Sequence, residues 1–170
     1  MPLDLRRYVP SDAEALTELL HRSYAGLAER GLNFTAATQD VELTRWRAAA
    51  GPTFVLADGG APVGTLTLSL PPARYLQGLT PEAAAPGRGW LNQMAVDPAH
   101  RGRGLARRLR DAALAHAAAH GVTAIGIDTA EPAGDLLDLY RRWGFTERDV
   151  IRWPDKTYDS VVLVREVAAG

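Results

Sequence analysis

Apolar residues early in the chain, Leu16, Leu19, Leu20, Tyr24 and Leu27, recur at three- and four-residue steps, the period of one helix face. Ser11 and Glu14 stand ahead of them in capping-box spacing, where each side chain can satisfy a backbone N–H, and Gly31 provides a stop. A second helix is expected through Val41, Leu43 and Trp46 to Gly51. The period then changes. Residues 53–57 and 63–70 read as strands, and Asp58-Gly59-Gly60 between them has hairpin-turn chemistry. From Pro71 to Gly89 the chain turns to Pro, Gly and Ala with little periodicity, which predicts a long loop. Residues 71–89 are therefore a candidate active-site lid.

The second half alternates regularly: a strand over 91–96, a helix over 104–120, a strand over 123–128 and a helix over 134–143. Gly121 and Gly144 sit where left-handed helix caps belong. Two further strands follow Phe145, parted by Trp153-Pro154-Asp155, the last over 161–164. The pattern predicts an α/β (α+β) fold with a mixed central sheet of about six to seven strands and about four flanking helices. No linker, repeat or low-complexity tract divides the chain, so 1–170 is read as a single domain.

Composition narrows the chemistry. A chain of 170 residues can bury a substantial core. It contains no cysteine, which removes disulfides, thiolate metal sites and thiol nucleophiles. Of its 19 basic residues only Lys156 is lysine, and the residues before it lack the glycines of a phosphate-binding P-loop. A net charge of -1 argues against nucleic acid as a partner. The N-terminus has no apolar run behind its charges, and no stretch reaches membrane-spanning length, so a soluble cytoplasmic protein without a membrane partner is expected.

One segment stands out. Arg101-Gly102-Arg103-Gly104-Leu105-Ala106 follows a predicted strand and opens a predicted helix, so its N–H groups and the helix dipole converge as an anion site requires. From His100 to His120 five arginines oppose Asp111 alone, a local charge of about +4. A dinucleotide fingerprint would require glycine at position 107, which is Arg107. The six residues alone leave an ordinary tight turn with a solvated arginine face as an equal alternative.

The wider segment from Met94 to Ala106 resembles the acetyl-CoA-binding motif of the GCN5-related N-acetyltransferase (GNAT) family, with Arg101, Gly104 and Ala106 at its defining positions. Leu139-Tyr140-Arg141-Arg142-Trp143-Gly144-Phe145 is similar to the family's second signature. The resemblance implies two central parallel strands that splay to admit the pantetheine arm of acetyl-CoA. Backbone groups of Met94, Ala95 and Val96 would line that arm, and Arg101, Gly102, Arg103, Gly104, Leu105 and Ala106 would hold the pyrophosphate. It further implies an acetyl-CoA-dependent N-acetyltransferase that needs no metal.

Acetyl transfer from a thioester to an amine needs an uncharged nucleophile and a proton for the departing thiolate. Tyr140, a phenol protonated at pH 7, is the candidate acid. The family often carries Asn where this chain has Ala133, and the strand before the phosphate loop lacks the Glu found in some members. Asp128, Glu131 and Glu29 remain as possible bases, and Asn92 or Gln93 as water-orienting groups. Tyr24, Asn33, Phe34, Tyr75 and Trp90 are candidate pocket walls. His116 and His120 have helical metal-ligand spacing without the accompanying Glu, so solvent-facing roles near a helix end are expected. The expected acceptor is a small-molecule amine, with a protein N-terminus or lysine, or a non-catalytic acyl-CoA-binding module, as alternatives. The expected assembly is a monomer or homodimer.

Overall fold

The computed structural model describes residues 2–169. Seven strands form one sheet: β1 (Asp4–Arg7), β2 (Thr53–Asp58), β3 (Ala61–Ser69), β4 (Arg88–Val96), β5 (Ala124–Ala130), β6 (Thr146–Ile151) and β7 (Ser160–Glu166). Their order is β1-β2-β3-β4-β5-β7-β6, and only the β4–β5 pair is parallel. The α-helices are α1 (Ala13–Glu29), α2 (Val41–Ala48), α3 (Arg74–Leu79), α4 (Pro81–Ala84), α5 (Leu105–Ala119) and α6 (Gly134–Arg142).

Side chains alternate across the sheet, so neighbouring residues of β2 serve different cores. Phe54 and Leu56 pack with Leu105, Leu109 and Ala113 of α5, while Val55 packs with Leu16, Leu19 and Leu20 of α1. The sheet is thus covered on both faces. The predicted mixed architecture and all of the predicted strands are present.

Pairing between β4 and β5 stops early. Arg88, Gly89 and Trp90 pair with Ala124, Ile125 and Gly126, and beyond them the strands part. A bulge lies at the point of departure: Thr67 pairs with Asn92 but Thr65 pairs with Ala95, and Gln93 has φ 52°. An extra residue bends its strand and raises the local twist, which carries the second half of β4 away from β5. The central parallel strands are splayed.

Two local expectations are corrected, the capping box and the long loop, and two features come from the structure alone. Ser11 and Glu14 do not form the capping box. Asp12 takes that place, accepting from the Val9 N–H at 2.9 Å and from Arg6 through two bonds of 2.8 Å. Trp46 is 68% exposed, because α2 turns Thr44 and Ala48 inward. Residues 71–89 are not a structureless loop: they hold α3, α4 and the start of β4, anchored by buried Leu76 and Ala83 against Trp90, Ile151 and Val162. The sheet also gains β1, four residues whose strand geometry comes from pairing with β2.

Candidate active site

A cavity of about 370 Å³ opens where β4 and β5 part. Tyr140 reaches it from α6. That helix ends in a Schellman motif: the Phe145 N–H donates to the Tyr140 carbonyl at 3.0 Å, the Gly144 N–H donates to the Arg141 carbonyl at 3.0 Å, and Gly144 has φ 83°. The motif brings the Phe145 ring against the Tyr140 ring. This gives the tyrosine-to-Gly-Phe spacing a physical cause, since the cap fixes the tyrosine. Tyr140 is buried and its hydroxyl makes no hydrogen bond among the described residues. Burial first, then the proximity of Tyr24, Asp128 and Asp135, hold the phenol far above its ordinary pKa. It stays a donor throughout the working range of pH.

Asp128 lies at the end of β5 on the same cavity. Its two carboxylate oxygens accept from the indole N–H groups of Trp90 at 2.8 Å and Trp153 at 2.9 Å. The Trp90 ring occupies the space above Gly126, where any Cβ would meet it at 2.1 Å. Glycine at 126 is therefore a requirement of the carboxylate's support.

Arg47 enters from α2. It donates to Gln39 Oε1 at 2.8 Å and forms no ion pair among the described residues. Gln39 in turn donates to Gln93 Oε1 and to Thr44 Oγ1, each at 2.8 Å, so the bulge of β4 and the inward threonine of α2 together aim the guanidinium. Burial lowers the Arg47 pKa while Tyr24 and Asp128 oppose the shift.

The outer walls come from two segments. Tyr75 of α3 stacks on Trp153 of the β6–β7 connection, with centroids 5.7 Å apart and planes 18° apart. That connection is latched to the residues after α1. The Asn33 side chain donates to the Asp155 carbonyl at 2.8 Å and accepts from the Thr157 N–H at 3.0 Å. Lys156 donates to the Asn33 carbonyl and Thr35 Oγ1, each at 2.8 Å.

Beyond the cavity β4 runs into the glycine-rich turn. Gly102 has φ 76° and Gly104 φ 74°, and neither has an atom within 4 Å of a Cβ position, so the turn is open. The N–H groups of residues 101–104 have no acceptor among the described residues and lie at the N-terminus of α5. Contacts to α1 hold the turn. Arg22 pairs with Asp97 at 2.9 Å, Ser23 donates to the Val96 carbonyl at 3.2 Å, and Arg101 donates to the Ser23 carbonyl at 3.0 Å. Arg103, Arg107 and Arg108 are exposed and without ion pairs among the described residues.

Residues 13–145 match the Acetyltransferase (GNAT) family. The chain belongs to that family. Solved structures agree on the fold. The ribosomal-protein-S18-alanine N-acetyltransferase from Escherichia coli superposes with a TM-score of 0.75 at 16% identity, covering 99% of this chain and 96% of that one. A GNAT-family protein from Desulfovibrio desulfuricans gives 0.75 at 20% identity over 98% and 100% of the two chains. An acetyltransferase from Salmonella typhimurium, solved with its cofactor acetyl-CoA, gives 0.72 at 18% identity over 100% and 96%. No curated protein matches the sequence.

On this GNAT scaffold the candidates from sequence separate. Tyr140, Met94 and Asp128 meet at the cavity, as do the expected wall residues Tyr24, Phe34, Tyr75 and Trp90. Asn33 is a latch instead of a wall. Glu29 and Glu131 are exposed and do not line the cavity. The Met94 carbonyl accepts from Tyr24, whose burial pushes its hydroxyl up to about 12, at 2.7 Å. Ala133 is fully buried and its N–H donates to the Ala130 carbonyl at 2.9 Å. His116 and His120 stack on each other at 3.9 Å, and His116 also meets Phe54, so only His120 is solvent-facing. The described residues contain no group of three His, Cys, Asp or Glu side chains able to hold a metal, and no helix long and apolar enough to cross a membrane. Arg47, Gln39 and Trp153 escaped sequence reasoning. Each lies outside the two signatures, and only folding brings them together.

Proposed function

We propose that this GNAT protein transfers the acetyl group of acetyl-CoA to the primary amine of a small molecule, by direct attack within a ternary complex. The observation that carries the reading is the meeting of a protonated phenol, Tyr140, and a carboxylate, Asp128, in one cavity between the splayed strands. The open N–H groups of residues 101–104 suit a pyrophosphate, and the exposed Arg103, Arg107 and Arg108 suit the cofactor's charged end. Thr129 Oγ1, buried beside the slot without a partner, supplies a further polar contact for the pantetheine arm. The backbone of Met94, Ala95 and Val96 borders that arm, and the Met94 carbonyl retains a second lone pair beyond its bond to Tyr24.

In this reading Asp128 holds the acceptor ammonium and takes one of its protons. The amine nitrogen attacks the thioester carbonyl carbon, and the C–N bond forms. As the C–S bond breaks, sulfur keeps the bonding pair and takes the proton of Tyr140, and the second proton that the nitrogen loses on becoming an amide restores the phenol. The absence of cysteine from the chain removes an acetyl-thiol intermediate and favours this direct route. A small acceptor is favoured over a protein segment because α3 and the latched β6–β7 connection wall the cavity from two sides.

Thiol release from acetyl-CoA, measured with a panel of small amines and with peptides, tests the reading. Amine-dependent release is expected. Acetyl-CoA binding without release for any acceptor would point to a non-catalytic module, and preferential release with peptides would move the acceptor to proteins.

A further inference from the structure

The cavity contains two opposite charges fixed on separate elements. Asp128 is clasped by two indole N–H groups on one side, and Arg47 projects from α2 on the other. The remaining charged lining residues neutralise each other: Lys156 is taken up by Asn33, Thr35 and Asp155, the last at 3.4 Å. Arg47 alone keeps most of its N–H donors unused, with one of them on Gln39. A half-buried guanidinium without an ion pair is costly unless something satisfies it. The fold nevertheless commits Gln39, Gln93 and Thr44 to aiming it at the cavity.

A second observation concerns apolar groups. Two of the chain's most exposed large side chains, Trp46 at 68% and Tyr75 at 57%, both line this cavity, where they frame its mouth from α2 and α3. Neither exposure serves the core.

We propose that the acceptor is a free α-amino acid with an apolar or aromatic side chain, its ammonium on Asp128, its carboxylate on Arg47 and its side chain against Trp46 and Tyr75. The assignment rests on the acetyltransferase reading for the chemistry, but its recognition step stands on binding alone. An Arg–carboxylate contact is charge-assisted and directional, so an amine lacking the carboxylate leaves Arg47 unsatisfied and binds worse. Gln39 and Gln93 act as positioning residues for that contact.

The test compares matched pairs: phenylalanine, tryptophan and methionine against phenethylamine, tryptamine and 3-(methylthio)propylamine, with the amino acid amides as a third arm. Two readouts are used, thiol release and calorimetric binding to the protein loaded with CoA. The amino acids are expected to exceed their decarboxylated partners in kcat/KM by about 100-fold. In Arg47→Gln that ratio is expected to collapse towards about one, and in Arg47→Lys to recover in part. A merely structural role for Arg47 would lower both members of each pair and keep the ratio. Equal wild-type activity with amines or amides overturns the proposal while leaving the acetyltransferase reading intact. Selective binding of amino acids without thiol release would support the recognition proposal and sink the catalytic reading.

Discussion

Tyr140 carries the sharpest prediction at the scale of single residues. Its phenol is held protonated by burial and by neighbouring acidic groups, so its donor role persists as pH rises. Tyr140→Phe should lower kcat by about 100-fold, the usual scale of a general acid, while acetyl-CoA affinity stays near wild type. The same elevation predicts no descending limb in the wild-type kcat profile between about pH 7 and 10, since a phenol of ordinary pKa would begin to lose its proton there. Steady-state kinetics across that range checks the sign; a clear fall with a midpoint inside it would contradict the burial argument.

Gly126 makes a different kind of prediction. Its hydrogen occupies the only room left beneath the Trp90 ring, and that ring holds Asp128. Gly126→Ala must push the ring aside, at a cost of about 1–3 kcal/mol for overpacking. Lower thermal stability together with a raised acceptor KM is expected. Unchanged values of both would show that the ring moves freely.

At the scale of elements, the latch between the β6–β7 connection and the residues after α1 is the feature to test. Asn33 ties two points of that connection, and Lys156 returns the contact from the other side. Asn33→Ala removes three side-chain bonds, those to the Asp155 carbonyl and to the N–H and hydroxyl of Thr157, while leaving the glycine-rich turn untouched. The acceptor KM should rise several-fold, on the order of the 1 kcal/mol that such bonds contribute, while the acetyl-CoA KM holds. An equal rise in both would mean that the latch supports the whole slot. The contrast follows from topology, since the glycine-rich turn hangs from β4 and α1 and the outer cavity wall from β6 and β7.

For the whole molecule, the Arg6–Asp12 pair ties the edge strand β1 to the start of α1. Arg6, then the Val9 N–H, hold the Asp12 carboxyl below its ordinary pKa, although burial opposes them. A depressed carboxyl pKa gives stability that is fully present above the unfolded value of about 3.9 and is lost as pH falls through the folded value. Denaturant midpoints should therefore drop between pH 6 and pH 3. Asp12→Asn should lower the midpoint at pH 6 and reduce that drop, and an unchanged pH slope would show that the pair contributes nothing measurable.

Much of this protein was legible before folding because its information is local. Helix period, hairpin turn, glycine caps and the strand-turn-helix setting of Arg101 to Ala106 depend on residues a few positions apart. The Tyr140 signature is local too, since the Schellman cap spans six residues. Residues 71–89 were misjudged because α3 and α4 are short and held by Leu76 and Ala83 against distant strands, which no period records. The exposure of Trp46 was not legible because α2 is oriented by a buried hydroxyl of Thr44, not by its apolar residues. The cavity depended most on the tertiary structure. Asp128, Trp153, Arg47 and Gln93 come from four separate segments, and their meeting requires the parted strands and the bulge in β4. Sequence determined the family, the sheet and the glycine-rich turn, whose chemistry resides in neighbouring backbone groups. Folding alone decided which charges face the cavity, because side-chain burial and aim are properties of contacts between residues far apart in the chain.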